Sequence, residues 1–113
     1  NSTRRLRNIV TKIRISFELK QIQEDELISL YSNYNNEVDA VLFVREALKI
    51  FPKLSCGLAS VCLRNVLGGK IIRGRYKEYE HTYLLIDDNI IDITADQYGG
   101  PKIYIGTRKK PWN

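Results

Sequence analysis

A cysteine, a histidine and an aspartate follow one another along the chain in an order that could support nucleophilic catalysis. Such catalysis needs a thiolate, a neighbouring imidazole and a third group that orients the imidazole. Cys56 falls at the start of a predicted helix, where unpaired backbone N–H groups and the helix dipole lower the pKa of a thiol and can stabilise an oxyanion. His81 is the only histidine in the sequence, and Asp92 lies eleven residues further on. These residue types predict acyl transfer through a cysteine.

Each of these residues also has a plainer interpretation. Most cysteines are small buried hydrophobes, and Cys62 fits that description better than Cys56 because it lies in the middle of the same predicted helix. A solitary histidine is more often structural or exposed than catalytic. Asp92 interrupts a run of isoleucines, and a carboxylate in apolar surroundings needs a partner.

The identity of the aspartate that reaches His81 depends on the turn between two predicted strands. A two-residue turn at Asp88-Asn89 places His81 opposite Asp96 and Asp92 opposite Leu85. A contact between His81 and Asp92 would then require a bulge or a different pairing. The residues alone therefore leave Asp92 and Asp96 as alternative orienting groups.

The elements that must position these residues divide the chain by hydrophobic period. A period of 3.6 residues predicts helices around 6–13, from Glu24 to Tyr31, from Glu37 to Phe51 and from Ser55 to Gly68. The buried face of the last two helices is expected to include Val41, Val44, Leu48, Phe51, Leu58, Val61, Cys62 and Val66. A period of two then predicts strands at Lys70–Tyr79, His81–Asp87, Ile90–Thr94 and Lys102–Thr107. Helices followed by an antiparallel sheet indicate an α+β fold.

A pattern seen in known proteins is carried by four short segments: Ser55–Ser60, Gly74, His81–Tyr83 and Ile91–Thr94. These segments resemble the papain-like and transglutaminase-like superfamily of cysteine hydrolases, and Asp92-Ile93-Thr94 keeps the Asp-x-Thr motif of its transglutaminase-like branch. Tyr83 stands where that branch often has tryptophan. The resemblance implies a nucleophile helix packed on a small antiparallel sheet. It also implies that Cys56 is the nucleophile, His81 the general base and acid, and Asp92 rather than Asp96 the orienting group.

The resemblance leaves residues 1–50 unmatched and so divides one domain, 1–113, into a helical part, 1–50, and a Cys-His-Asp core, 51–107. It implies a cysteine-dependent acyl-transfer hydrolase: a protease, amidase or deamidase, or a transglutaminase if an amine replaces water. Gln97 and Tyr83 are the candidate substrate-binding residues. Neither a cofactor nor a metal is expected, because one histidine and two cysteines six positions apart do not match a closed zinc site.

Small domains of this superfamily also occur as effector or toxin modules at the ends of large bacterial secreted proteins. This implies a protein or peptide substrate, a cognate immunity or inhibitor protein, and action in the cytoplasm after delivery. The sequence contains no methionine, so we expect it to be a fragment or a processed product of a longer protein. No apolar run reaches the ~18 residues that a membrane span requires.

The basic character of the chain supports an alternative. The net charge is +5 over 113 residues, of which 43% are hydrophobic and 27% charged. Basic residues near the two ends, Arg14 and Lys110 among them, are expected to form solvated faces or tails, and Trp112 to lie in a loosely packed tail. Lys70, Arg73, Arg75 and Lys77 make a basic strand beside His81, the last three on one face. The alternative is therefore an RNA-directed toxin or a nucleic-acid-binding module in which Cys56 is structural. A catalytically inactive papain-like fold used for protein contacts is a third interpretation.

Overall fold

Four helices precede a four-stranded sheet in the computed structural model, which describes residues 2–113. The helices are α1 (Ser2–Glu18), α2 (Glu24–Tyr34), α3 (Ala40–Ile50) and α4 (Cys56–Leu67). The strands are β1 (Lys70–Tyr76), β2 (Tyr79–Ile86), β3 (Asn89–Asp92) and β4 (Tyr104–Thr107), with a short 3-10 helix at Ala95–Tyr98. Neighbouring strands pair antiparallel in the order β1-β2-β3-β4, which confirms the predicted α+β class.

Local hydrogen bonds explain why α3 begins later than the sequence predicts. The side chain of Asp39 accepts a hydrogen bond from the backbone N–H of Leu42 at 3.2 Å, so Asp39 caps the helix from outside. The backbone N–H of Glu37 donates to the side chain of Asn35 in the preceding turn, at 3.1 Å. The expectation that the helix starts at Glu37 is therefore wrong. The side chains of Asn35 and Asp39 accept hydrogen bonds from backbone amides, and they thereby fix a turn before the first residue of α3.

The main core lies between α4 and the sheet, with α2 packed against both α3 and α4. On α4 the buried apolar residues are Leu58, Ala59, Val61 and Leu63. Val66, which the sequence places on the buried face, is 55% exposed, and Val41 of α3 is 41% exposed. The buried face of each helix therefore differs from the predicted one. For α4 the reason is that it contacts β1 and β2 on one side and α2 on another.

Arg14 attaches α1 to the end of β3 through a buried ion pair. Its guanidinium donates to both carboxylate oxygens of Asp96, at 2.8 and 2.9 Å, and to the carbonyl oxygen of Ile93 at 2.6 Å. Arg14 is only 4% exposed. The expectation of a solvated basic tail is therefore wrong for Arg14, whose bidentate pairing offsets the free energy of removing both charges from water.

The last residues of the chain lie alongside β1. The backbones of Arg75 and Asn113 exchange two hydrogen bonds, at 2.9 and 3.0 Å, and Tyr76 forms a bridge with Trp112. Gly74 allows this close approach, since a Cβ at that position would overlap the carbonyl group of Asn113. Trp112 is 4% exposed, so the prediction of a loosely packed tail is wrong.

Within the residues that the structure describes, none of the helices has both the length and the apolar character needed to cross a bilayer.

Candidate active site

The register of the β2–β3 hairpin decides which aspartate meets His81. The observed pairs are Leu84 with Ile91, Leu85 with Ile90 and Ile86 with Asn89, so the turn consists of Asp87 and Asp88. It lies one residue earlier than the sequence predicts, and Asp87 adopts a positive φ of 54°, a conformation that aspartate tolerates better than most residues. One pair beyond Ile91, Asp92 comes opposite Tyr83. Asp92 therefore lies on the same face as His81, two residues along β2, without a bulge.

His81 and Asp92 form a buried hydrogen-bonded pair. The Nε2–H of His81 donates to Oδ2 of Asp92 at 2.7 Å, because an ionised carboxylate can only accept. Both residues are 2% exposed. Asp96, the alternative orienting group, is instead held by Arg14. The structure thus brings together His81 and Asp92, as the family resemblance implies.

Three further donors complete the surroundings of the Asp92 carboxylate. The indole N–H of Trp112 donates to Oδ2 at 2.8 Å. The backbone N–H of Thr94 donates to Oδ1 at 2.9 Å, with the Thr94 hydroxyl at 3.4 Å. This role of Thr94 gives the Asp-x-Thr motif a physical meaning, since the backbone amide two residues on fixes the carboxylate. A carboxylate fixed by several donors holds the imidazole ring in one orientation.

The second ring nitrogen of His81 is free to act on the cysteine. Nδ1 is buried, and no hydrogen-bond partner for it exists among the residues of the described chain. Cys56 and His81 line the same cleft, and the pKa of each residue responds to the other. With Nε2 bound to Asp92, Nδ1 is the nitrogen that can exchange a proton with the sulfur.

Opposing effects act on the two pKa values. Burial alone would raise the pKa of the Cys56 thiol, but the proximity of His81 and of the Thr82 backbone, together with the charge of His81, lowers it overall. Burial lowers the pKa of His81, but the hydrogen bond to Asp92 and the proximity of Cys56 raise it to about 9. Cys62 has no such neighbours, and burial raises its pKa to about 11. Of the two cysteines, Cys56 is therefore the one whose pKa is shifted toward the thiolate, the reactive form of the side chain.

Tyrosine rings enclose the imidazole. Tyr98 packs edge-on against His81 with ring centroids 5.4 Å apart, and Tyr76 does so at 6.1 Å. Tyr83 lies on the buried side, where it is 0% exposed and its hydroxyl donates to the carbonyl oxygen of Asn113 at 2.9 Å. The prediction that Tyr83 binds substrate is wrong, because the ring has no surface that a substrate could reach.

The amino terminus of α4 leaves backbone donors beside the sulfur. Ser55 does not cap the helix with its side chain, because its hydroxyl donates to the carbonyl oxygens of Ala47 and Lys53, at 3.2 and 3.1 Å. In the described part of the chain no acceptor pairs with the amides of Cys56 and Gly57. These amides, at the positive end of the helix dipole, can bind a negative oxygen that develops next to the thiol.

Cys56 and His81 open into a cleft of about 720 Å³. The cleft lies between α2, the start of α4 and the β1–β2 hairpin, and its other lining residues include Tyr31, Tyr34, Arg73, Arg75, Glu80, Thr82, Gln97 and Tyr98. Gln97, the predicted substrate-binding residue, lines this cleft, and its side-chain amide donates to the carbonyl oxygen of Thr94 at 3.0 Å. Sequence reasoning missed Tyr31 and Tyr34, since both look like ordinary residues of an amphipathic helix.

The fold and the site together define a class of protein. It is an α+β domain that has a cysteine at a helix amino terminus and a buried His–Asp pair on the adjoining sheet. The chain belongs to the YunG protein family, whose model matches residues 52–111. That range is just over half of the chain and contains Cys56, His81 and Asp92. Neither the curated proteins nor the solved structures provide a significant match.

Proposed function

We propose that this domain is a cysteine-dependent acyl-transfer hydrolase of papain-like type that acts on amide bonds of a protein or peptide. The observation that carries the proposal is the buried His81, whose Nε2 is fixed by Asp92 while Nδ1 has no hydrogen-bond partner within the described chain. The lowered pKa of Cys56 and the open cleft in front of it support the same function.

The first half of the proposed reaction forms an acyl-enzyme. The Cys56 thiolate attacks the carbonyl carbon, forming a C–S bond, and the carbonyl electron pair moves onto the oxygen. The amides of Cys56 and Gly57 stabilise that oxyanion. Nδ1 of the His81 imidazolium donates its proton to the leaving nitrogen as the C–N bond breaks. Asp92 keeps the ring oriented and stabilises its positive charge throughout.

The second half releases the acyl group. The neutral imidazole takes a proton from water, the resulting hydroxide attacks the thioester carbonyl, and the C–S bond breaks to restore the thiolate and the imidazolium. Water as acceptor gives protease, amidase or deamidase activity. An amine as acceptor gives transglutamination by the same atoms.

The proposal extends to the setting in which the reaction would occur. An effector or toxin that modifies proteins in the cytoplasm would encounter reducing conditions, in which Cys56 and Cys62 stay free as they are in the structure. A cognate inhibitor protein that covers the 720 Å³ cleft would block access to Cys56.

Acylation by 4-nitrophenyl acetate tests the proposal without knowledge of the natural substrate. We expect a burst of nitrophenolate equal to the enzyme concentration, and an acetyl group on Cys56 detected by peptide mass spectrometry. Cys56→Ala should remove the burst, whereas the matched variant Cys62→Ala should keep it. Adding glycine ethyl ester measures whether an amine competes with water for the acyl group.

A different pattern would contradict the proposal. If acetylation is spread over lysines, or is equal at both cysteines, Cys56 is not a nucleophile. The exposed Arg73 and Arg75 on the cleft side of β1 favour RNA as the second candidate. RNA cleavage that persists in Cys56→Ala and falls steeply with salt would establish that candidate instead.

The prediction that Lys77 lies on the same basic face as Arg73 and Arg75 is wrong. Lys77 lies in the turn after β1, with a positive φ of 56°.

A further inference from the structure

We propose that Arg73 forms a carboxylate-binding subsite in the cleft, so that Cys56 reacts preferentially with molecules that carry a carboxylate next to the reacting group. The inference deepens the proposed function by naming the class of substrate: an acyl compound with a side-chain or terminal carboxylate close to the bond that is attacked. It rests on that function only for the identity of the reaction, since binding by Arg73 can be measured separately.

Arg73 occupies a position from which it can reach a molecule bound at the thiol. It pairs in register with Thr82, which directly follows His81 and whose backbone is close enough to Cys56 to affect the pKa of the thiol. Arg73 and Cys56 line the same cleft. The guanidinium is exposed, so a ligand can reach it without moving other residues.

Tyr34 holds the guanidinium in place. Nε of Arg73 donates to the Tyr34 hydroxyl at 3.0 Å, and the guanidinium carbon lies 5.0 Å from the centre of the Tyr34 ring. The Tyr34 ring in turn lies next to Gly57 at the start of α4, 3.9 Å from where a Cβ would be. These contacts use Nε and one face of the guanidinium. Its two terminal nitrogens stay available for a bidentate interaction with a carboxylate, at little cost in side-chain entropy.

No carboxylate of the described chain forms an ion pair with Arg73. Glu37 is close enough for its charge to help raise the pKa of Arg73, after the larger effect of the Tyr34 hydrogen bond, but the two do not bind. Arg75 and Glu80, the other charged residues along the cleft, lie opposite each other in the β1–β2 register. Arg75 thus has a carboxylate as its cross-strand neighbour, although the two form no ion pair, whereas the cross-strand neighbour of Arg73 is the uncharged Thr82.

Paired alkylating reagents test the subsite directly. Iodoacetyl-glycine carries a carboxylate one residue, or ~3.5 Å of chain, beyond the reactive group, and iodoacetyl-glycinamide is its neutral counterpart. The second-order rate of Cys56 alkylation is measured for each by mass spectrometry. We expect the acid to react about tenfold faster than the amide, as one charge-assisted bidentate contact predicts. Iodoacetyl-aspartic acid α-amide, which places the carboxylate on a side chain, distinguishes a side-chain from a terminal carboxylate.

Variants of Arg73 separate binding from a structural role. Arg73→Gln should reduce the ratio of the acid rate to the amide rate to about one, and Arg73→Lys should keep only part of the preference because lysine lacks the planar fork. Arg108→Gln, which removes an exposed arginine outside the cleft, should have no effect. The inference is overturned if all three reagents alkylate Cys56 of the wild-type protein at equal rates. It is also overturned if Arg73→Gln slows the reactions of the acid and the amide equally. A Cys56 that reacts no faster than Cys62 would contradict the proposed function instead.

Discussion

Two aspartates four residues apart, Asp92 and Asp96, each bind a basic side chain. The two pairs differ in whether the basic side chain can exchange a proton. Asp96 binds Arg14 through two parallel hydrogen bonds, and the arginine has no proton to exchange at any ordinary pH. Asp92 binds His81, which titrates and keeps one ring nitrogen unbound. The function proposed above depends on this difference, because a catalytic base needs a second ring nitrogen that is not already bound.

The largest difference is expected when each carboxylate is removed in turn. Asp92→Ala frees the His81 ring to rotate and lowers its pKa, so the burst rate with 4-nitrophenyl acetate should fall by roughly 10³. Asp96→Ala should leave the burst rate per folded molecule within a few-fold of the wild type. Equal losses in the two variants would show that both aspartates act through the fold alone.

Stability should respond in the opposite order. Asp96→Ala removes the bidentate partner of the buried Arg14 guanidinium and leaves it only the partly exposed Glu18 as an ionic partner, 3.1 Å from Nε, which should lower the free energy of unfolding by about 3 kcal/mol. The double variant Arg14→Met with Asp96→Ala removes both charges and should recover most of that loss. Urea unfolding followed by circular dichroism measures both. A double variant no more stable than Asp96→Ala would mean that packing of Arg14 on Phe51 matters more than its charge.

The reactive pair should show a characteristic pH dependence. Because the pKa of Cys56 is lowered, alkylation by iodoacetamide should reach half its maximum below pH 9, while Cys62 should need a pH of about 11. In His81→Ala the burial of Cys56 remains without its partner, so its midpoint should move upward. Burst acylation should decline above about pH 9, where His81 loses its proton. Coincident titrations of the two cysteines would rule out the pair.

The raised pKa of His81 makes the free energy of unfolding depend on pH. Its pKa is about 6.5 in the unfolded chain and about 9 in the folded protein, so the stabilising effect of its proton is complete below pH 6.5. That contribution should diminish as the pH rises through about 9. His81→Ala should lack this component when the free energy of unfolding is measured between pH 6 and 10. An unchanged pH profile in the variant would contradict the raised pKa.

The smallest effect is expected at Trp112. Trp112→Phe keeps an aromatic ring against Tyr104 but removes the N–H that donates to Asp92. Loss of one hydrogen bond to a charged group should slow the burst about fivefold and lower the free energy of unfolding by about 1–2 kcal/mol. Trp112→Ala should lower the free energy of unfolding more than Trp112→Phe does. The pH midpoint of Cys56 alkylation should be the same in the two variants. A burst rate in Trp112→Phe equal to the wild type would show that the indole only fills space.

Local patterns predicted much of the fold and half of the site. Helical periodicity located α4 with Cys56 at its first residue, and the alternation after Gly69 located the sheet. The count of strand pairs failed because the turn formed at Asp87-Asp88, where a positive φ is required that composition does not reveal. Only the resemblance to a known family favoured Asp92.

Contacts between distant parts of the sequence escaped prediction. Arg14 meets Asp96 across 82 positions, and a charge pattern at the end of a chain gives no sign of such a partner. Trp112 reaches Asp92, and Arg73 reaches Tyr34, through the arrangement of whole elements rather than through local propensity. These residues look like surface or tail residues in sequence because their burial or fixed position depends on the complete fold.

The contact between Trp112 and Asp92 has a consequence for synthesis on the ribosome. Cys56, His81 and Asp92 emerge well before Trp112, which lies 20 residues beyond Asp92. Until residue 112 has emerged, one donor to the carboxylate is missing and β1 lacks the strand-like cover of the final residues. The surroundings of the Asp92 carboxylate are therefore completed only after residue 112 has left the ribosome, and not when Cys56, His81 and Asp92 have done so.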